Sequence, residues 1–282
     1  MSHCVLRRPA AYPHHMSDEQ LVAVSPRHSV YLASELCALV TRPPQKDFVV
    51  RTLAKRAAGS LPLMTAEMVI ASIETREQFP LARTYPLHFR KTYFPGRMHG
   101  DPKDEYEYLS RAAEVLQLPP PIGHTPRTFR TCLIPGTPYS RLSPFGNSQP
   151  ESNIWKASDV PLATAAGLWR LLEDAFDQLQ RLHGSGLAHG DAELHNFIVC
   201  PSPLEILPID FESAMRRSDL DDATWERRCE LDLEPLLREA IYVQCTLGKQ
   251  RGALADLAWA RLDQLLKDSD RFREAIEHPA NG

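Results

Sequence analysis

The sequence predicts an α+β fold in which a strand-rich segment comes before a mainly helical one. Apolar residues alternate with a period of two in residues 85–94, which is typical of a β-strand with one buried face. They recur at helical spacing over residues 160–183, and Gly184 follows as a C-cap. With 282 residues, of which 43% are hydrophobic, the chain can form one large domain or two lobes.

The composition argues against several classes of protein. The formal net charge is −4 and the pI is about 6.3, so the basic surface that nucleic-acid binding requires is not expected. The six cysteines are scattered without a CxxC pair, which argues against a structural zinc site or a disulfide framework and favours a reducing compartment. No apolar run is long enough for a membrane span or a secretory signal. We therefore expect a cytoplasmic protein, and delivery by a specialised secretion system stays open.

Residues 1–65 are predicted to form an N-terminal arm followed by two short helices. Residues 1–26 are rich in His, Pro and Arg and show no periodicity, which favours a mobile arm. Apolar residues recur at helical spacing in residues 29–40 and again in residues 47–58. A proline pair separates the two segments, because proline disfavours helical geometry in the residue before it.

Two strands are predicted next, at residues 68–73 and 85–94, with a polar turn between them. One face of the second strand holds Lys91 together with three large apolar side chains, those of Leu87, Phe89 and Tyr93. A lysine on a buried face needs a partner of opposite charge. Two alternatives remain: Lys91 faces solvent because the face assignment is shifted by one, or Arg90 is the inward charge.

A helix is predicted over residues 101–118, with Asp101 as N-cap and a proline at the first helical position. Glu105 belongs to its inward stripe, together with Leu109, Ala112 and Leu116. An ion pair with Glu105 would neutralise Lys91 and aim it at phosphate oxygens. The alternative is that Glu105 is an exposed acid of the first turn, stabilised there by the helix dipole.

Residues 129–134 are predicted to form a strand that ends at the sharp break Pro-Gly-Thr-Pro, residues 135–138. This break could connect two lobes. Backbone groups from Cys132 to Ile134 would then be available to hydrogen-bond an adenine ring. Residues 143–158, rich in Ser, Pro and Asn, form a loop of the kind in which substrate segments are often found.

The chemistry is concentrated in the stretch HGDAELHN, residues 189–196, and in the Ile-Asp-Phe-Glu sequence that contains Asp210. Between them lie two short apolar runs separated by a turn, which predict a β-hairpin. A hairpin would bring together Asp191, Asn196 and Asp210. Phosphoryl transfer needs an acid to orient and deprotonate the acceptor hydroxyl and oxygen ligands to hold Mg²⁺ against nucleotide phosphates. These three residues would meet those needs. Beyond them we expect a polar segment at residues 216–228 and helices at 231–247, which contains Asp232, and 253–267.

These motifs resemble those of the protein kinase-like superfamily, and more closely those of its small members and of the aminoglycoside, choline and lipopolysaccharide kinase groups. The resemblance covers roughly residues 66–250. It implies an antiparallel N-lobe over residues 66–135, a mainly helical C-lobe over residues 136–282, and ATP between the lobes. The roles that it implies are a catalytic base at Asp191, Mg²⁺ ligands at Asn196 and Asp210, a phosphate contact at Lys91 held by Glu105, adenine contacts at Cys132 and Ile134, and a structural role for His189.

Three departures from the family pattern bear on these roles. No GxGxxG sequence lies between the first two predicted strands, so another backbone segment must cover the phosphates. Glu212 replaces the glycine of the usual Asp-Phe-Gly, as it does in several small-molecule kinases. No Ala-Pro-Glu sequence closes an activation segment, which weakens any argument for regulation by loop phosphorylation.

These features are consistent with three functions. A kinase acting on Ser or Thr of a protein is favoured by the short region after the catalytic motifs. A small-molecule kinase is favoured by HGD without a central arginine and by the acid at position 212. A catalytically silent binding module is suggested by the absent glycine-rich sequence, but retention of three converging metal ligands argues against it. ATP and Mg²⁺ are the expected cofactors in the first two cases.

Overall fold

A computed structural model describes residues 4–5, 19–55, 64–94, 100–142, 165–201, 203–247 and 250–277. Within these residues the chain is a mixed α/β protein with mostly antiparallel sheets and seven α-helices. None of the described helices is both long and apolar enough to cross a bilayer.

The strands follow one another in this order: β1 Cys4–Val5, β2 Glu19–Ala23, β3 His28–Ala33, β4 Phe48–Lys55, β5 Met64–Ile70, β6 Leu87–Tyr93, β7 Pro121–His124, β8 Thr128–Cys132, β9 Thr137–Pro138, β10 Leu187–Ala188, β11 Phe197–Pro201, β12 Leu204–Pro208 and β13 Met215–Arg216. The helices are α1 Ser34–Thr41, α2 Ile73–Gln78, α3 Leu81–Thr84, α4 Pro102–Leu116, α5 Ala165–Gly184, α6 Asp222–Leu247 and α7 Ala253–Glu277.

A five-stranded antiparallel sheet, in the order β4-β5-β6-β8-β7, organises the first half of the chain. One face of this sheet, called the inner face, carries the side chains predicted to lie on the buried face of β6. On it, Lys91 lies opposite Ala66 on β5 and Phe129 on β8. Helix α4 lies against this face, and its buried stripe is the predicted one: Glu105, Leu109, Ala112 and Leu116. Asp101 caps the helix by accepting a hydrogen bond from the backbone N–H of Lys103 at 2.7 Å.

The outer face of the same sheet carries a buried network of charges. Asp47 accepts hydrogen bonds from Arg90 at 2.9 Å and from Arg130 at 2.7 Å. Arg130 also lies 2.9 Å from Nε2 of His88. Although burial alone would raise it, the pKa of the Asp47 carboxyl is lowered, because the backbone N–H of Ser72 and the Arg130 guanidinium stabilise its charged form. Arg90 is thus an outer-face charge, and the inward charge of β6 is Lys91.

The N-terminal unit, defined as residues 19–41, consists of the β2–β3 hairpin and helix α1. Its buried side chains include Val22, Val30 and Leu32, and they pack against the Leu87 end of the inner face of the main sheet. The predicted arm is wrong for residues 19–23, which form a strand. The first predicted helix is correct only from residue 34, because residues 28–33 also form a strand.

The second predicted helix, over residues 47–58, is wrong, because residues 48–55 form β4. Val49, Val50 and Thr52 are β-branched, and such side chains fit a pleated strand better than a helix. Pairing with β5 along its length adds hydrogen bonds that the spacing of apolar residues does not reveal. The main sheet therefore includes a strand from the segment predicted to form the second short helix.

Two short elements in the same half of the chain differ from the prediction. The predicted polar turn after residue 73 is the short helix α2, which Ser72 caps by accepting a hydrogen bond from the backbone N–H of Thr75 at 3.1 Å. Strand β7 was not predicted, because its four residues follow a proline run that obscures strand periodicity. The predicted substrate loop at residues 143–158 lies outside the described residues.

The second half of the chain is mainly helical. The apolar face predicted for α5 is buried in the core, and the predicted hairpin is confirmed as β11–β12, with Phe197 opposite Pro208. Helix α6 begins at Asp222, well before the predicted residue 231, because the side chain of Asp221 caps it by accepting a hydrogen bond from the backbone N–H of Thr224 at 2.9 Å. The last helix also extends beyond the predicted residue 267.

Candidate active site

Lys91 lies at the centre of a group of three carboxylates. Its Nζ atom is 2.5 Å from Oε1 of Glu105, 2.5 Å from Oδ1 of Asp210 and 3.5 Å from Oε2 of Glu212. The pairing of Lys91 with Glu105 that the sequence predicts is therefore confirmed. Strand β6 supplies the lysine, helix α4 supplies Glu105, and the segment after the β11–β12 hairpin supplies the other two acids.

Burial and charge act in opposite directions on Lys91. Burial by itself would lower the pKa of the amine, but Glu105 and Asp210 outweigh this effect and raise the pKa well above its usual value. Burial also raises the pKa of Glu105, whose side chain is only 2% exposed. Three carboxylates thus lie within 3.5 Å of one ammonium group.

Tyr93 supports Glu105 from the same face of β6. The Tyr93 hydroxyl donates a hydrogen bond to Oε2 of Glu105, while Lys91 bonds the other oxygen, Oε1. Both carboxylate oxygens are thus held, which fixes the direction in which Glu105 presents Lys91. Tyr93 was on the predicted buried face, but nothing in the strand pattern indicated that its hydroxyl would reach the acid.

Asp191 and Asn196 lie side by side in the loop between β10 and β11. The amide nitrogen of Asn196 donates to the backbone oxygen of Asp191 at 2.9 Å and to its Oδ2 atom at 3.0 Å. These two bonds turn the amide oxygen of Asn196 away from Asp191. The backbone oxygen of Asn196 accepts a hydrogen bond from the N–H of Ile209 at 2.8 Å. This bond joins the loop to the residue just before Asp210.

Asp210 has a left-handed backbone, with φ 69° and ψ 65°. This conformation costs a residue with a Cβ atom on the order of 1 kcal/mol. The neighbouring contacts hold it there, since Ile209 is bonded to Asn196 and the side chain of Asp210 pairs with Lys91. Strained residues that the surroundings hold in place are frequent at functional sites.

His189 and Asp232 form the support beneath the loop. Asp232, on α6, accepts hydrogen bonds from the backbone N–H groups of His189 at 2.7 Å and Gly190 at 2.8 Å, and it lies 3.0 Å from Nε2 of His183. The ring of His189 is fully buried, and its Nε2 atom donates to the backbone oxygen of Ile209 at 3.0 Å. Burial lowers the pKa of this ring, which therefore stays neutral.

Gly190 allows the loop to approach the segment after Asp210. Its φ is +81°, and a Cβ atom placed on it would lie 1.9 Å from the backbone oxygen of Ser213. Only glycine fits both the conformation and the space. An arginine at position 190, the middle residue of the His-Gly-Asp sequence, is excluded by the same close approach.

The segment after Phe211 is held against the rest of the site. Strand β13 pairs with β10, with Ala188 opposite Met215. Arg216 lies 2.5 Å from Glu107 on α4, and both side chains are more than a third exposed. The three-residue 3₁₀ turn from Phe211 to Ser213 also places Glu212 near Lys91. This contact of Glu212 was not predicted, because the family pattern has glycine there.

A cavity of about 310 Å³ opens beside Lys91. Its walls are mainly apolar: Phe89, Leu109, Leu118, Phe129, Ile134, Ile198 and Phe211 are among them. Cys132 and Ile134, which the sequence predicts near an adenine, both line it. The thiol of Cys132 is 2% exposed, and burial raises its pKa to about 12, so it is protonated at neutral pH.

The structure thus brings together Lys91, Glu105, Asp210 and the cavity residues, and it links Asp191 and Asn196 to them through the backbone of Ile209. The segment 56–63, which joins β4 to β5, lies outside the described residues. It contains a single glycine, Gly59.

No protein-family model and no curated protein sequence matches this chain. Among solved structures, 537 chains match. One of them is the autoinhibited serine kinase domain of the giant muscle protein titin, with 12% sequence identity and a TM-score of 0.40. The alignment covers 61% of this chain and 46% of that chain. This chain therefore spans less than half of the length of the titin structure.

Proposed function

We propose that this chain is an ATP-dependent phosphotransferase with a kinase-like two-lobed fold, and that it transfers the γ-phosphoryl group of ATP to a Ser or Thr hydroxyl of a protein. The observation that carries the proposal is the position of Lys91, held between Glu105 and Asp210 at the edge of an apolar cavity. The loop that holds Asp191 and Asn196 is tied to the same place.

The cavity is suited to the base of a nucleotide. Aromatic and aliphatic walls favour a flat, weakly polar ring, and small-molecule sites are usually lined in this way with a few polar groups at one end. In this proposal the backbone near Cys132 and Ile134 bonds the adenine. Lys91, at the polar end of the cavity, bonds phosphate oxygens. Glu105 and Tyr93 keep its Nζ atom in place while it does so.

The donor set fits Mg²⁺. Asp210 offers carboxylate oxygens and Asn196 an amide oxygen turned away from Asp191, and both are ligands that hard cations prefer. Bound Mg²⁺ would neutralise charge on the transferred phosphoryl group. We assign Asn196 and Asp210 as its ligands.

Asp191 is assigned as the catalytic base. Its side chain is partly exposed, and it accepts a hydrogen bond from Asn196 that orients the carboxylate. From this position it can orient an acceptor hydroxyl and take its proton. His189, Gly190 and Asp232 act as positioning residues, because Asp232 holds the backbone N–H groups of the two residues just before Asp191.

The described residues after Phe211 are compatible with a protein acceptor. Only α6 and α7 follow the short segment there, in the described part of the chain. A second candidate, a small-molecule kinase, is favoured by Gly190, whose contact with Ser213 leaves no place for an arginine that would read a phosphorylated segment. The acid at position 212, Glu212, also favours a small-molecule kinase.

Transfer from radiolabelled ATP by the purified full chain tests the proposal. The chain is incubated with Mg²⁺ and a cell lysate that is then separated into protein and small-molecule fractions. Label in polypeptides supports a protein acceptor, label in the soluble fraction supports the second candidate, and no label in either overturns phosphoryl transfer. Asp191→Ala and Asp210→Ala should lower transfer by several orders of magnitude while remaining folded. The control is Asp256→Ala, an exposed acid on α7, and undiminished transfer in either site variant contradicts the assignment.

A further inference from the structure

Three potential metal ligands converge where the N-terminal unit meets the β11–β12 hairpin. They are His28 on β3, Cys200 on β11 and Glu205 on β12, and their ligand atoms all lie within 4.8 Å of one another. Cys200 and Glu205 are directly opposite each other in the hairpin, so their side chains share one face. His28 reaches that face from a segment more than 170 residues away in sequence.

We propose that His28, Cys200 and Glu205 form a site for a transition-metal ion, and that Zn²⁺ is the ion that fits. An imidazole nitrogen, a thiolate sulfur and a carboxylate oxygen are the three ligand types that Zn²⁺ uses in proteins. Mg²⁺ and Ca²⁺ are disfavoured, because they prefer oxygen ligands alone. The site is thus chemically different from the Mg²⁺ site proposed at Asn196 and Asp210, and it does not depend on the proposed function.

The two atoms that would bind the ion lack a proper hydrogen bond. Nε2 of His28 and Oε1 of Glu205 are 2.8 Å apart. Within the described residues, both are buried and neither has a hydrogen-bond partner in acceptable geometry. His28 is 1% exposed. In the part of the chain that the structure describes, the two atoms meet only each other, as a close ion pair, and an ion placed between them would bond both.

Neighbouring groups hold both ligands in the required direction. Oγ of Ser25 lies 2.8 Å from Nδ1 of His28, which fixes the ring and directs Nε2 into the cluster. A metal-bound histidine usually donates a hydrogen bond from its second ring nitrogen, and Oγ of Ser25 can accept it. Arg27 approaches Oε2 of Glu205 at 3.4 Å and so leaves Oε1 facing His28.

Small movements are enough to accommodate the ion. Ligand atoms around tetrahedral Zn²⁺ lie about 2.0–2.3 Å from the metal and hence roughly 3.3–3.8 Å from one another. His28 and Glu205 would move apart slightly from 2.8 Å, and any pair near the 4.8 Å limit would move closer. Binding releases the Cys200 proton to solvent, and the charges of the thiolate and the carboxylate then balance the ion. One water completes the coordination.

The ion would connect the N-terminal unit to the hairpin that carries the candidate active site. Cys200 and Glu205 lie near the turn of this hairpin, while Asn196 and Asp210 lie at its opposite end. The expected role is therefore structural. The scattered cysteines argued against such a site, because zinc signatures are recognised by close spacing, and His28 lies more than 170 residues before the other two ligands.

The test uses the purified full chain, treated with a chelator and then titrated with Co²⁺ as a spectroscopic probe and with Zn²⁺. We expect one equivalent of Co²⁺ to bind and to give a thiolate-to-cobalt charge-transfer band that Zn²⁺ abolishes. Cys200→Ser should lose the band. Cys37→Ser, which alters another buried thiol, should keep it. A band of native intensity in Cys200→Ser, or no stoichiometric binding to the native chain, would overturn the proposal.

Thermal melting gives a second measurement. Zn²⁺ should raise the Tm of the chelator-treated native chain and of Cys37→Ser, since an ion that binds only the folded state stabilises it. Glu205→Gln preserves shape and removes the charged ligand, so it should fold and bind Zn²⁺ at least ten-fold more weakly. If Cys200→Ser fails to fold, the Zn²⁺ affinity of Glu205→Gln tests the site instead. An unchanged Zn²⁺ affinity in Glu205→Gln contradicts the site.

Discussion

The Nζ atom of Lys91 lies 2.5 Å from Oδ1 of Asp210, although 119 positions separate the two residues in the chain. Lys91 belongs to the main sheet, and Asp210 follows the β11–β12 hairpin. This contact joins the two halves of the protein at the polar end of the cavity. Because Glu105 also binds Lys91 at 2.5 Å, a change at the lysine should alter both activity and stability.

Lys91→Met should abolish transfer and destabilise the protein. The variant removes the ammonium group that contacts Glu105, Asp210 and Glu212, and removal of one partner of a buried ion pair typically costs about 3–5 kcal/mol. The acids can reduce this cost by taking up protons, so the loss should be larger at pH 8 than at pH 5.5. Urea unfolding at the two pH values measures it. Lys103→Met, an exposed control on α4, should change the free energy of unfolding by less than about 0.5 kcal/mol. A loss that is the same at both pH values would contradict the proposed charge balance.

Gly190→Ala should be strongly destabilising. The positive φ of Gly190 alone costs an alanine about 1–2 kcal/mol, and its Cβ would also overlap the backbone oxygen of Ser213, which is not the end of a flexible side chain. Gly184→Ala is the matched control, because a Cβ there meets nothing within 4 Å. Thermal melting and transfer activity of the two variants are compared. Similar Tm values for both would show that the loop tolerates a side chain and would contradict the close approach.

Asp232→Asn should weaken the support of the catalytic loop. The carboxylate accepts two backbone N–H groups, from His189 and Gly190, and the asparagine amide nitrogen cannot accept either. Loss of one hydrogen bond to a charged group costs about 1.5–3 kcal/mol. Transfer should also fall, mainly in kcat, because Asp191 follows directly. Asp177→Asn, an exposed change on α5, serves as control. Full kcat together with a large loss of stability would restrict Asp232 to a purely structural role.

Sequence patterns predicted those parts of the site that lie on the apolar faces of two neighbouring elements. Lys91 lay on the apolar face of a strand, Glu105 lay on the apolar face of the next helix, and the two do form an ion pair. The β11–β12 hairpin followed from two apolar runs and a turn. Local periodicity was sufficient in these cases, because each element buries one face only.

The sequence could not predict contacts between distant segments. The spacing of apolar residues at 47–58 fits a helix, but pairing with β5 makes these residues a strand, and no local rule contains that partner. The contact of Glu212 with Lys91 and the cluster around His28 depend likewise on how separate segments pack. Sequence spacing indicates which faces are buried, and the packing determines which polar groups meet there.

Acid should destabilise the protein through His88. This ring is completely buried, and burial, with a contribution from Arg130, lowers its pKa to about 3 in the folded state. In the unfolded chain the pKa is about 6.5, so the unfolded state binds the proton first as the pH falls. The contribution of His88 is therefore fully present above about pH 6.5 and is lost towards pH 3, by about 1.4 kcal/mol for each pH unit.

The measurement is the free energy of unfolding in urea at intervals between pH 7 and pH 4. His88→Gln can still accept the hydrogen bond from Arg130 but cannot take up a proton. It should lower stability at pH 7 and reduce the slope against pH by about 1.4 kcal/mol per unit. A residual slope is expected from His189, because burial lowers its pKa as well. Equal slopes in the native chain and in His88→Gln would contradict the prediction, because they would mean that His88 takes up its proton in the folded and the unfolded state alike.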